Sequence, residues 1–155
     1  MDPMAALKDR LRTDLTAAMK SRDAVRTRTL RSALTAVSTA EVAGATSREL
    51  SDDEVIKVLA REAKRRREAA DAFAAAGRAE QASAERAEGD VLDGYLPAQL
   101  SDDELTSIVA VGISESGAAG PRALGEVMKL VTPTIAGRAD GARVAAEVRR
   151  QLGAQ

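Results

Sequence analysis

Apolar residues recur along this chain at helical spacing almost without interruption. Leu7, Leu11, Leu15 and Met19 stand four apart and predict a first helix with one apolar stripe, its other faces filled by Arg and Lys. Asp23 stands where an N-cap restarts the chain, and Leu30, Ala33, Leu34 and Val37 predict a second stripe that ends near Gly44. Ile56, Leu59, Ala63, Ala70 and Phe73 mark a long third helix that stops at Gly77. An Ala- and Glu-rich fourth runs from about Arg78 through Ala84, Ala87, Val91 and Leu92 to Tyr95. Leu105, Ile108, Val109 and Ile113 line a fifth, which ends in the loop from Gly117 to Gly120. Pro121 suits the first position of a sixth, with Leu124, Val127, Met128 and Val131 as its stripe and Pro133 as its end. Val144, Val148 and Leu152 belong to a seventh. No segment reads as a strand, and Pro97 disfavours helix at Leu96 and predicts a boundary there. The expectation is therefore an all-α protein, an N-terminal four-helix bundle over 1–96 followed by a small three-helix domain over 97–155.

The string Leu-Ser-Asp-Asp-Glu occurs twice, at 50–54 and at 100–104. Three adjacent carboxylates can suggest a metal site or a pair of general acids. Ser51 with Glu54, and Ser101 with Glu104, also have the spacing of a capping box, in which the hydroxyl accepts from the N3 amide and the carboxylate accepts from the N-cap amide. Leu50 with Val55 and Leu100 with Leu105 are placed as hydrophobic staples, and the aspartates lie in the first turn, where the helix dipole favours negative charge. A metal would require carboxylates converging from separate elements, so both strings read as helix starts.

Composition narrows the chemistry. The chain has no Cys and no His, which removes disulfides, thiolate nucleophiles and the commonest general base and metal ligand. Only Phe73 and Tyr95 are aromatic, so the core must be built from Leu, Val, Ile and Ala. The segment from Met1 to Leu15 carries charges every few residues, and no run of eighteen apolar residues occurs anywhere, so a cytoplasmic protein with no membrane partner is expected. The net charge of −1 is unevenly spread. Residues 1–67 carry fifteen basic against ten acidic groups, residues 68–96 two against seven, and residues 97–155 six against seven. A basic front can attract polyanions, and it can equally be balanced by an acidic helix of the same bundle.

Two clusters follow from that asymmetry. Arg28 and Arg31, and Arg22 and Arg26, share helical faces, and Lys57, Arg61, Lys64 and Arg65 form a ridge on the third helix. Such arrays neutralise phosphates without reading bases; the alternative is a solvated face paired with the acidic fourth helix. Gly137-Arg138-Ala139-Asp140-Gly141 precedes the last helix, whose free amides together with Arg138 can seat a phosphate; the alternative is a tight turn capped by Asp140. Glu85, Glu88, Asp90 and Asp93 have no evident cleft to separate their pKa values, so no catalytic residues are assigned, and neither metal nor cofactor is expected.

RTRTLRSAL (26–34), EVIKVLAREAKRRREAADAFAAAGR (54–78), YLPAQLSDDEL (95–105), LGEVMK (124–129) and GRADG (137–141) together resemble the YqeY family. Members are free-standing relatives of the tail domain of the B subunit of the tRNA-dependent aspartyl/glutamyl amidotransferase (GatB/YqeY). The resemblance implies the two-part helical architecture and an association with tRNA. A label of carbon–nitrogen ligase with glutamine as amido-N-donor would describe the larger assembly, whose chemistry resides in other parts. Positions matching the family motifs are Arg26, Arg31, Lys64, Arg66, Arg67 and Arg78 in front, and Gly125, Lys129, Gly137, Arg138 and Gly141 behind. These, Gly125 apart, are the tRNA-binding residues the resemblance implies. Arg138 and Asp140 follow the free-standing version of the motif, where the amidotransferase tail usually has Lys and Asn. The implied function is a non-catalytic tRNA-binding accessory module. Its rival is a helical adaptor docking on an amidotransferase or aminoacyl-tRNA synthetase through apolar surface around Met128, Leu130 and Val131.

Overall fold

The computed structural model describes residues 6–153; the first five residues of the N-terminal segment discussed above, and the last two of the chain, lie outside the described residues. Seven α-helices and no strand occur among them: α1 Ala6–Lys20, α2 Ala24–Glu41, α3 Asp52–Ala75, α4 Ala79–Asp93, α5 Asp102–Ser116, α6 Leu124–Ile135 and α7 Gly141–Gly153, with a single 3-10 turn at Pro121–Ala123 leading into α6. The helices fall into two compact units, Met1–Leu96 and Pro97–Gln155.

In the first unit Leu11, Leu30, Leu59 and Leu92, one from each helix, are fully buried together with Val37 and Val55. Truncating any of these leucines to Ala is expected to cost about 2–5 kcal/mol. The stripe on α1 departs from expectation at its end: Met19 is 43% exposed and Ala18 takes its place in the core. A helix turns about 100° per residue, so Met19 has drifted roughly 120° from Leu7 whereas Ala18 returns to within about 20°. On α4, Ala84 is exposed and the buried face instead carries Ala82, Glu88, Gly89 and Leu92.

Both capping boxes form. Ser51 Oγ accepts from the Glu54 amide at 3.3 Å while Glu54 accepts from the Ser51 amide at 3.2 Å; the Ser101 and Glu104 pair does the same at 3.1 and 3.0 Å. Leu50 and Val55 are buried in one core, Leu100 and Leu105 in the other. The first box also holds the fold together at a distance. Asp52 accepts from the Leu7 amide at 3.0 Å, satisfying an orphan donor in the first turn of α1. Lys8, only 7% exposed, places its Nζ 2.8 and 3.0 Å from the two Glu41 oxygens, and Glu41 accepts from the Leu50 amide as well. The Lys8 ammonium is the main reason the Glu41 carboxyl titrates below its ordinary range.

In the second unit α5 and α6 approach closely because position 112 has no side chain. A Cβ there would stand 2.4 Å from Val131 Cγ1. Pro133, expected to end α6, lies inside it, and the helix continues to Ile135. Having no amide hydrogen, Pro133 cannot donate to the Lys129 carbonyl one turn before it. The actual stop is the left-handed Ala136 (φ 46°), whose amide donates to the Thr132 carbonyl, followed by Gly137 at φ 78°.

Candidate nucleic-acid interface

The Gly-Arg-Ala-Asp-Gly stretch begins with a backbone requirement. Two successive left-handed residues reverse the chain after α6, and glycine at 137 allows the second without a Cβ penalty. The reversal brings Arg138 against the chain entering α5. Its carbonyl accepts from the Leu100 amide at 2.7 Å, its Nε donates to the Ala98 carbonyl at 3.3 Å, and Nη2 lies 3.8 Å from Glu104. Arg143, one turn into α7, donates to the Leu100 carbonyl at 2.9 Å and to Asp102 at 2.7 Å. The second Leu-Ser-Asp-Asp-Glu string and the glycine motif, distant in sequence, thus form one clasp. Asp140 is the N-cap position of α7, its carbonyl accepting from the Val144 amide at 3.0 Å, and Gly141 opens the helix. Arg138 is therefore engaged within the unit, and Lys129 is exposed on α6 with no partner among the described residues.

In the first unit the cations divide into two classes. Arg66 is the most committed: its side chain is 22% exposed, Nη1 lies 2.9 Å from Glu88 and 3.6 Å from Glu85, and Nη2 donates to Ser32 Oγ at 3.3 Å. Arg28 Nε completes the network on the other Glu88 oxygen at 2.6 Å, which explains how a glutamate 6% exposed is tolerated on the inner face of α4. Arg67 pairs with Asp93 at 3.4 Å, Lys64 lies 4.0 Å from Glu68, and Arg65 pairs with Glu62 at 3.3 Å. Arg26 donates to Tyr95 Oη at 3.3 Å. Tyr95 in turn makes a short hydrogen bond to Asp14 and lies beneath Arg10, whose guanidinium is 4.6 Å from the ring centroid. Burial first, and Asp14 second, push the Tyr95 phenol up to about 12.

The second class faces solvent. Arg31, Lys57, Arg61 and Arg78 are all exposed and have no carboxylate partner among the described residues. The Arg31 guanidinium donates to the Met19 sulfur at 3.3 Å. Of the six front cations implied by the motifs, Arg31 and Arg78 thus carry unbalanced charge, while Arg66 is tied into the helix packing. Arg143 and the clasp it makes were not legible from spacing, because its partners lie about forty residues away on another element.

The apolar surface considered for docking also rearranges. Val131 is buried and Met128 packs on the core, whereas Leu130 is 43% and Val111 56% exposed. These two flank a hollow of about 270 Å3 lined by Ile108, Gly112 and Thr134. No group of His, Cys, Asp or Glu able to hold a metal occurs among the described residues, and none of their helices is long and apolar enough to cross a membrane.

A sequence model of the family described as Yqey-like protein matches residues 8–152, nearly the whole chain. No curated protein matches it.

Proposed function

The chain belongs to the YqeY family, and from that membership we propose that it is a non-catalytic tRNA-binding accessory module of the cytoplasm, built as a four-helix bundle over 1–96 and a small three-helix domain over 97–155. The observation that supports the reading is the set of exposed cations on the first unit, Arg31, Lys57, Arg61 and Arg78, left without carboxylate partners although acidic residues neutralise their neighbours. Unbalanced guanidinium and ammonium groups attract a phosphate backbone and release its counterions. With only Phe73 and Tyr95 aromatic, and Tyr95 buried, the module has little with which to stack bases. It recognises charge and shape rather than sequence.

The test is anisotropy with total tRNA across a salt series. Binding is expected at about 50 mM salt and is expected to fall steeply by about 200 mM. Neutralising Lys57, Arg61 and Arg78 together to Gln is expected to reduce the salt slope by about two to three. Absence of binding at low salt, or a triple variant that behaves as wild type, refutes the reading.

Exposed Val111 and Leu130 favour a second reading, an adaptor whose hollow between α5 and α6 receives an apolar side chain of an amidotransferase or synthetase. Co-purification of such a partner that survives nuclease and high salt, and is lost in Val111→Asp, distinguishes it from the first.

A further inference from the structure

α1 and α3 end in the same hydrogen-bonded motif. After α3 the Gly77 amide donates to the Ala74 carbonyl at 3.1 Å and the Arg78 amide to the Phe73 carbonyl at 2.8 Å; after α1 the Arg22 amide donates to Met19 at 3.2 Å and the Asp23 amide to Ala18 at 2.9 Å. This is the Schellman ending, which places one residue in the left-handed region. After α3 that residue is glycine, φ 74°; after α1 it is Arg22, φ 58°. Any side chain is strained there and an arginine gains nothing in return from the backbone. Strain of this kind concentrates where the side chain has a use.

Arg22 opens onto a shallow concavity between the end of α1 and the exposed face of α2. Met19, Ala24, Thr27, Arg28, Arg31, Ser32 and Thr35 line the rest, with no carboxylate among them. Arg28 spends its Nε on Glu88, but Arg22 and Arg31 have no acidic partner among the described residues. Ser32 Oγ accepts from Arg66, and Thr27 makes no side-chain hydrogen bond among the described residues. Two uncompensated guanidinium groups around one hollow, with the Thr27 hydroxyl on the same face of α2 as Arg31, are the complement of a phosphate oxyanion.

We propose that this concavity is a phosphate seat, in which Arg22 and Arg31 grip one backbone phosphodiester of a bound RNA and the hydroxyl of Thr27, one helical turn before Arg31 on α2, adds a donor to its coordination. The proposal rests on the polyanion-binding reading above and gives it a location. Arg22 is held in the left-handed conformation for its charge, at the expense of stability.

Two substitutions separate charge from fold. Arg22→Gly relieves the backbone and is expected to raise the melting temperature by about 2–4 °C. It is also expected to weaken tRNA binding about five- to eightfold at about 0.1 M salt, because each lost contact removes about 0.7–0.9 from the salt exponent. Arg31→Gln is expected to weaken binding similarly with little change in melting. A variant more stable yet weaker in binding is not the outcome of a merely structural Arg22. If the wild-type chain binds tRNA, the Lys57/Arg61/Arg78 variant loses affinity, and Arg22→Gly and Arg31→Gln do not, the seat is refuted and the functional reading survives. If the wild-type chain binds no tRNA, the functional reading falls, and amide NMR with inorganic pyrophosphate decides the seat alone. Shifts at Arg22, Thr27 and Arg31 that vanish in Arg22→Gly sustain an oxyanion site; no shifts end the proposal.

Discussion

Replacing Gly112 by Ala tests the close approach of α5 and α6. Alanine is the better helix former by about 1 kcal/mol, so local propensity alone favours the substitution. Tertiary packing opposes it, because the new Cβ would lie 2.4 Å from Val131 Cγ1, more than 1 Å inside ordinary contact. Val131 is 1% exposed and β-branched, so it has little freedom to rotate away, and α5 and α6 must separate instead. Overpacking of this severity belongs at the upper end of its usual range, about 3 kcal/mol, leaving a net loss of about 2 kcal/mol. Gly89 is the internal control: a Cβ there meets Arg66 Cβ at 3.6 Å, an ordinary contact, so Gly89→Ala is expected to be neutral or stabilising by up to about 1 kcal/mol. The assay is urea unfolding followed by circular dichroism, with hydrogen exchange assigning the change to α5–α7 or α1–α4. Val131→Ala in the Gly112→Ala background is expected to recover part of the loss, and the double-mutant cycle measures that coupling directly. A Gly112→Ala protein as stable as wild type, or a Gly89→Ala protein less stable than Gly112→Ala, refutes the packing argument.

Tyr95 is the sole tyrosine and the chain has no Trp, so near-ultraviolet absorbance reads its titration alone, with an expected midpoint near 12 that Asp14→Asn moves down toward 10. Because the folded value lies above the ordinary 10, stability is unaffected by this group below pH 10 and falls as pH rises from 10 toward 12, where the unfolded chain ionises the phenol more readily than the fold does. Acid acts in the opposite direction on Glu54, held at about 2 by Arg48 and the Ser51 amide, and on Glu147, held at about 2 by Arg150 and Gln151. Their stabilisation is present above the ordinary 4.5 and disappears as pH falls from there toward 2; carboxyl NMR titration and melting at each pH check the window. Lys8→Met leaves Glu41 almost buried without its cation, with an expected cost of about 3–5 kcal/mol by urea unfolding. Lys8→Met with Glu41→Leu is expected to recover most of it.

Helix number, both capping boxes and the Asp23 cap, whose Oδ1 accepts from the Arg26 amide at 3.0 Å, were legible from spacing because each depends on residues within a turn or two of one another. Ser51 and Glu54 form their box across a separation of three positions, and nothing distant can substitute for it. Apolar stripes were legible to within a residue or two; Met19 shows the limit, where a small angular drift decides the outcome, and Pro133 shows that a helix can run on two residues past a proline to a left-handed stop. The charged surface was far less legible. The family motifs put Arg31 and Arg66 in one class, yet only contacts across helices separate a cation facing water from one bound to Glu88 on α4.

By itself, then, the order of residues determined what short-range interactions control: the seven helices, their starts and most of their inward faces. Tertiary structure alone decided which charges remain unbalanced, that Arg138 and Arg143 clasp the entry to α5, that Gly112 admits Val131, and that Arg22 opens onto a hollow with no carboxylate among its described lining residues. The physical reason is range. A hydrogen bond within one helical turn is specified by its neighbours in sequence, whereas the field at a side chain sums over every charge that folding brings near it.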